Sequence, residues 1–172
     1  MKIVLSITLI ILAMNVSAQE VNKKIHDSVH NKDILINACT REGITTFPEF
    51  KEMYDPLYKA YVPDAATMIE LKKLIKNEKI KIVFGTWCGD SKVNVPNFLK
   101  VLDDLHFKQK NVEFIAVDAN KKAENGILDG LDILRVPTFI VYDKKGKELG
   151  RIIEGPKATL EADLLAIYQK KS

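Results

Sequence analysis

The chain has 172 residues, 26 of them basic and 23 acidic, for a formal charge of +3. Its Lys and Arg residues form no run longer than two, which argues against nucleic-acid or anionic-membrane binding. Ordinary apolar and charged fractions at this length suit one globular domain with a single core, expected as a monomer.

Met1-Lys2 precedes an apolar run from Ile3 to Ala13, and Val16-Ser17-Ala18 offers small residues for cleavage. This pattern reads as a signal peptide over residues 1–18. The run is short of the ~20 residues a spanning helix needs, so no stable membrane anchor is expected after cleavage. The mature chain would start at Gln19 in the periplasm or outside the cell, where disulfides can form.

Gln19 to Asp33 is polar and reads as a solvated, partly disordered leader. His26 and His30 are four apart, a metal-chelating spacing on a helix, but no third ligand is near and no metal is expected. Ile34 to Ala38 is mostly apolar and ends in Cys39, which is open to three readings: a buried inert thiol, a structural disulfide partner, or a distant resolving cysteine. Phe47, Phe50, Tyr54, Tyr58 and Tyr61 recur at helical steps, as on one face of a helix interrupted by Pro56, and core packing explains the stripe more simply than a peptide-binding surface. Residues 19–62 are therefore expected to form an N-terminal helical extension.

Asp64 suits a helix N-cap, followed by Met68, Leu71, Leu74 and Ile75 with helical period. A strand, Ile80 to Phe84, then runs into Gly85-Thr86-Trp87-Cys88-Gly89-Asp90-Ser91 and a helix to about Phe107, with Pro96 expected to kink it. A thiol at that junction meets the free N–H groups and positive dipole end of a helix, which favour its nucleophilic thiolate form. A strand over Val112 to Val117 and a short helix over Ala123 to Leu131 lead to Arg135-Val136-Pro137. A hairpin of Thr138–Tyr142 and Leu149–Ile153 and a helix over Thr159–Tyr168 complete the chain.

Trp87-Cys88-Gly89, a following helix with Pro96, and Arg135-Val136-Pro137-Thr138-Phe139 heading a strand together resemble the thioredoxin family, over roughly Ile80 to Tyr168. The resemblance implies an α/β thioredoxin-like fold, a central mixed sheet with helices on both faces, in a domain over residues 63–172. It also implies a cis peptide before Pro137, with the Val136 backbone free to pair with an extended substrate. Trp87 would shield the sulfur and form a rim for the partner, although a plain packing role fits it nearly as well.

The departures carry as much information. Ser91 stands where dithiol relatives have their second cysteine, and Ile82 where their reductases carry a buried acid. Ser91 can hydrogen-bond a Cys88 thiolate but cannot resolve a mixed disulfide, while Asp90 places a negative charge that opposes thiolate formation. The implied activity is monothiol exchange through Cys88, as an exported oxidoreductase or isomerase acting on protein thiols or disulfides and on small thiols. Alternatives are a non-catalytic binding module of the same fold that captures thiols or client proteins, and a scaffold in which Cys88 is dispensable. No cofactor is expected: two cysteines with scattered His26, His30 and His106 make no recognisable metal or iron–sulfur ligand set.

Overall fold

The computed structural model describes residues 20–170; the expected signal peptide and Gln19 lie outside them. Six strands form one mixed sheet: β1 (Lys23–Asp27), β2 (Lys32–Cys39), β3 (Lys79–Phe84), β4 (Val112–Ala116), β5 (Thr138–Tyr142) and β6 (Glu148–Ile153). Their spatial order is β1-β2-β4-β3-β5-β6. Only β3 and β4 run parallel, and Ile82 sits between Phe114 on one side and Phe139 on the other. The helices are α1 (Arg41–Thr46), α2 (Pro48–Ala60), α3 (Ala65–Leu74), α4 (Gly89–Asp104) and α5 (Leu160–Gln169), with one 3₁₀ turn at Gln109–Asn111.

One face of the sheet carries the main core. Ile80, Ile82, Phe84, Phe114, Phe139 and Val141 meet the apolar sides of the helices there. Phe50 of α2 packs edge-on to Phe84 at 5.8 Å, and Phe98 of α4 lies 4.3 Å from Phe139. The aromatic stripe is thus core, as expected, with Phe50 and Tyr54 buried within α2, but the expected interruption at Pro56 is absent and α2 runs on through it to Ala60. Asp64 caps α3 as expected, its carboxylate accepting the Thr67 N–H.

On the opposite face, Val83, Ile115, Val117 and Val136 pack under Ala123, Ile127, Leu128 and Ile133. The helix expected over Ala123 to Leu131 is not formed; this stretch is a series of turns. Its apolar spacing imitates a helix, but Asn125, Gly126, Gly130 and Asp132 all have positive φ, which breaks a right-handed helical ladder. Successive i→i+3 bonds replace it, Ile127 N–H to Glu124, Asp129 N–H to Gly126 and Leu131 N–H to Leu128.

The N-terminal region departs further from expectation. Residues 23–39 form a β-hairpin, with Ile25 opposite Ile34, and β2 joins β4 through Cys39 opposite Phe114. Helix begins only at Arg41, capped by the Thr40 hydroxyl. Too few apolar residues precede Ile34 to display a strand period, so the hairpin is set by its turn and by β2. In that turn, Asp27 accepts the His30 N–H at 3.2 Å and Asn31 takes a left-handed conformation. Helix α4 also starts two residues earlier than expected and stops at Asp104, where His106 turns to φ 55°.

Among the described residues no helix is long and apolar enough to cross a membrane.

Candidate functional site

Strand β3 is buried on both faces near its end, so it holds the following turn rigidly against the sheet. Gly85 is required at the turn itself, because a Cβ there would sit 2.6 Å from the Trp87 ring. The Cys88 N–H closes the turn on the Gly85 carbonyl at 3.0 Å, and Cys88 becomes the N-cap of α4. Its carbonyl accepts the Lys92 N–H at 3.1 Å, the first bond of the helix.

The Cys88 sulfur is half-buried, and its thiol donates to the Val136 carbonyl at 3.2 Å. The Val136-Pro137 peptide is cis, as the family resemblance implied. Two bonds brace this loop: Thr138 Oγ1 donates to Arg135 O at 2.7 Å, and Glu154 N–H to Pro137 O at 2.7 Å. The structure thus brings Cys88 and the Val136-Pro137 edge together although they lie 48 residues apart.

Ser91 is fully buried one turn into α4, and its oxygen accepts the Gly85 N–H at 3.2 Å. Its observed partner is therefore the turn, while the Cys88 sulfur partners Val136. Gly89 and Asp90 are exposed on the first turn of α4. Ile82 is completely buried in the apolar core, so that position offers no proton.

Trp87 is half-buried and fixed from several sides. Its indole N–H donates to Val117 O at 2.8 Å, and His30 stacks on it at 4.7 Å with 20° between the planes. Lys121 Nζ lies 5.8 Å from the ring centroid. His30 is itself gripped by Asp27, whose carboxylate bonds both its backbone N–H and its imidazole. That imidazole bond holds the Asp27 carboxyl below its ordinary range.

Two further contacts tie the hairpin to the Cys88 turn. Past the last β2–β4 pair, the Leu35 N–H finds the buried Thr86 hydroxyl at 3.2 Å. Glu49 of α2 bonds Lys32 at 2.7 Å and reaches Lys92 of α4 at 3.5 Å, and its carboxyl is held low chiefly by the Lys32 bond. Asp27, Leu35, Glu49, Thr86 and Lys92 were not legible as site residues, because each acts through a long-range contact. His30 stood out in the sequence, but for a helical spacing that does not exist. His26 lies on β1 and pairs with Asp33 at 3.4 Å on an exposed side. Among the described residues no three ligating groups converge on a metal site.

Cys39 is buried on β2, where its thiol donates to Asn37 O at 3.5 Å. Burial pushes that thiol up to about 12. Both cysteines are free. Strand β4 separates β2 from β3, so Cys39 is displaced from β3 by two strand spacings, roughly 10 Å, beyond the ~7 Å Cα limit for a disulfide. Cys88 leans the other way, toward Val136 beside β5. Of the three roles left open for Cys39, this geometry supports the buried thiol.

A family model described as thioredoxin matches residues 42–166. The chain is 28% identical over 86 residues to thioredoxin-like protein R548 of Acanthamoeba polyphaga mimivirus, covering 50% of this chain and 59% of that one. It is 32% identical over 98 residues to thioredoxin AMT13 of Alternaria alternata, covering 54% and 75%. The chain therefore spans less than two-thirds of the length of the first of these relatives. A solved Pseudomonas aeruginosa protein of unknown function, PA1234, shares the fold with a TM-score of 0.53 and 20% identity, over 73% of this chain and 84% of that one. The β1–β2 hairpin lies before the matched range. With the sheet order, the cis-proline loop and the cysteine at the head of α4 in place, the matched range makes this chain a member of the thioredoxin family.

Proposed function

We propose that the chain is an exported thiol–disulfide oxidoreductase or isomerase that works by monothiol exchange through Cys88. The observation that carries this reading is the juxtaposition of a half-buried Cys88 sulfur with the Val136 carbonyl before cis-Pro137, with buried Ser91 in place of a resolving thiol. The Cys88 thiolate attacks one sulfur of a partner disulfide, forming a Cys88–partner disulfide and releasing the other sulfur as a thiolate that takes up a proton. A second thiol, from the partner or a small-molecule thiol, then attacks the partner sulfur and expels Cys88 as thiolate. When both thiols belong to one partner, disulfides are rearranged with no net gain or loss of electrons.

Substrate docking follows from the same edge. An extended segment pairing with the Val136 backbone would displace the thiol from its carbonyl and lay a disulfide across the sulfur. Export rests on the leader pattern of residues 1–18, and places the activity where partner disulfides exist. Protein thiols and disulfides are the partners this chemistry requires.

The test is reactivation of a protein with scrambled disulfides in a glutathione buffer. The expected result is acceleration by the mature chain and none by C88A. Equal rates with both would overturn the exchange reading. Accumulation of a Cys88 adduct that glutathione does not release would instead favour the binding-module reading.

A further inference from the structure

The β1–β2 hairpin places an ionisable aromatic ring on the face of the tryptophan that precedes the reactive cysteine. The centroid separation of 4.7 Å and the 20° tilt fall within the range of offset aromatic stacking. The imidazole is partly covered, at 29% side-chain exposure, and Asp27 behind it at 9%. Asp27 grips both the backbone and the ring of His30, so the ring's position is set from its own turn rather than by the stack alone. The indole in turn has its edge fixed by Val117 and leaves no room for a side chain at Gly85. The imidazole is thus packed on the residue that directly precedes Cys88.

We propose that His30 is a positioning residue of the Cys88 site: anchored by Asp27 and stacked on Trp87, it makes the seat of the indole, one residue before Cys88, respond to the charge of the imidazole. The inference rests on the reading of Cys88 as the nucleophile. A histidine is suited to this because its charge changes between about pH 5 and 8, and both of its contacts change in strength with that charge, one as a charge-assisted bond and one as a cation–π contact. Among the described residues, the charged groups in contact with this stack are Asp27 on the same turn and Lys121 over the indole from the segment after β4. The hairpin that supplies His30 lies outside the range matched to the family.

Trp87 is the only tryptophan in the chain, so emission of the full-length protein excited at the red edge of the indole band, beyond tyrosine absorption, comes from this ring, and H30F separates the His30 stack from its other contacts. A protonated imidazole against an indole quenches it. For the wild type, emission is expected to fall as pH drops from about 8 to 5, whereas H30F, which keeps a stacked ring but cannot ionise, should stay flat. The iodoacetamide alkylation rate of Cys88 in H30F relative to wild type is expected to change roughly threefold between those limits, the scale of one partly exposed charge. D27N, which leaves the ring but alters its anchor, should move the emission transition along the pH axis and provides the comparison if H30F does not fold. A pH-independent emission in wild type, the same titration in H30F, an unshifted D27N transition, or a constant alkylation ratio would each overturn the proposal. Failure of Cys88 to alkylate in every protein, with the emission transition intact, would overturn the exchange reading and the link to Cys88 while leaving the His30–Trp87 coupling demonstrated.

Discussion

Replacing Thr86 by Val isolates the bond that joins the hairpin to the Cys88 turn. Thr86 is 1% exposed, and its hydroxyl is the acceptor for the Leu35 N–H at 3.2 Å. Valine matches its shape, so the substitution opens no cavity; it removes the acceptor and leaves a buried donor without a partner. That penalty is about 1–3 kcal/mol, and the slightly long bond places the expected loss toward the lower end. Urea unfolding followed by Trp87 emission measures it, with the slope unchanged because the exposed surface is the same. T86S keeps the acceptor and loses one methyl group, at about 0.8 kcal/mol, and should therefore be the more stable of the two variants. A T86V protein as stable as wild type at an unchanged slope would refute the claim that this bond fastens the hairpin to the Cys88 turn.

Other consequences follow from the same contacts. G85A drives a Cβ to 2.6 Å from the Trp87 ring, so a loss of about 1–3 kcal/mol from overpacking is expected, with red-shifted Trp87 emission as the ring moves into solvent. S91A removes the buried partner of the Gly85 N–H and should destabilise by about 1–3 kcal/mol, measured by thermal unfolding, while Cys88 remains able to form a mixed disulfide. Burial raises the Cys39 thiol to about 12, so the folded state holds that proton where the unfolded chain, with a thiol near ~8.5, loses it. The Cys39 contribution to stability is then fully present below ~8.5 and is lost as pH rises toward 12; a C39A comparison by denaturant unfolding from pH 7 to above 9 should show a shallower decline in the variant.

Much of this arrangement could be read from the residues. The β3–Cys88–α4 junction announces itself because an apolar strand, a cysteine and a helical apolar period follow one another without interruption. The cis bond at Pro137 followed from family resemblance rather than from any local pattern. Ile127, Leu128 and Leu131 mislead because their spacing is helical, yet the positive φ at Gly126 and Gly130 fixes turns from which Ile127 and Leu128 still pack, half-buried, on the sheet. The hairpin was hidden for a different reason: β1 offers Lys23, Lys24, His26 and Asp27, and its strand character comes from pairing with β2 rather than from its own propensity. His30 on Trp87 and Leu35 on Thr86 are long-range contacts that neither partner's local sequence encodes.

The most direct test of the central claim is intact mass analysis, with peptide mapping, of the chain from Gln19 onward after exposure to an excess of a small disulfide peptide. The expected product is a single mixed disulfide on Cys88, with Cys39 reduced and an added thiol restoring the free chain. An internal Cys39–Cys88 disulfide, or no adduct on Cys88, would contradict monothiol exchange at this site.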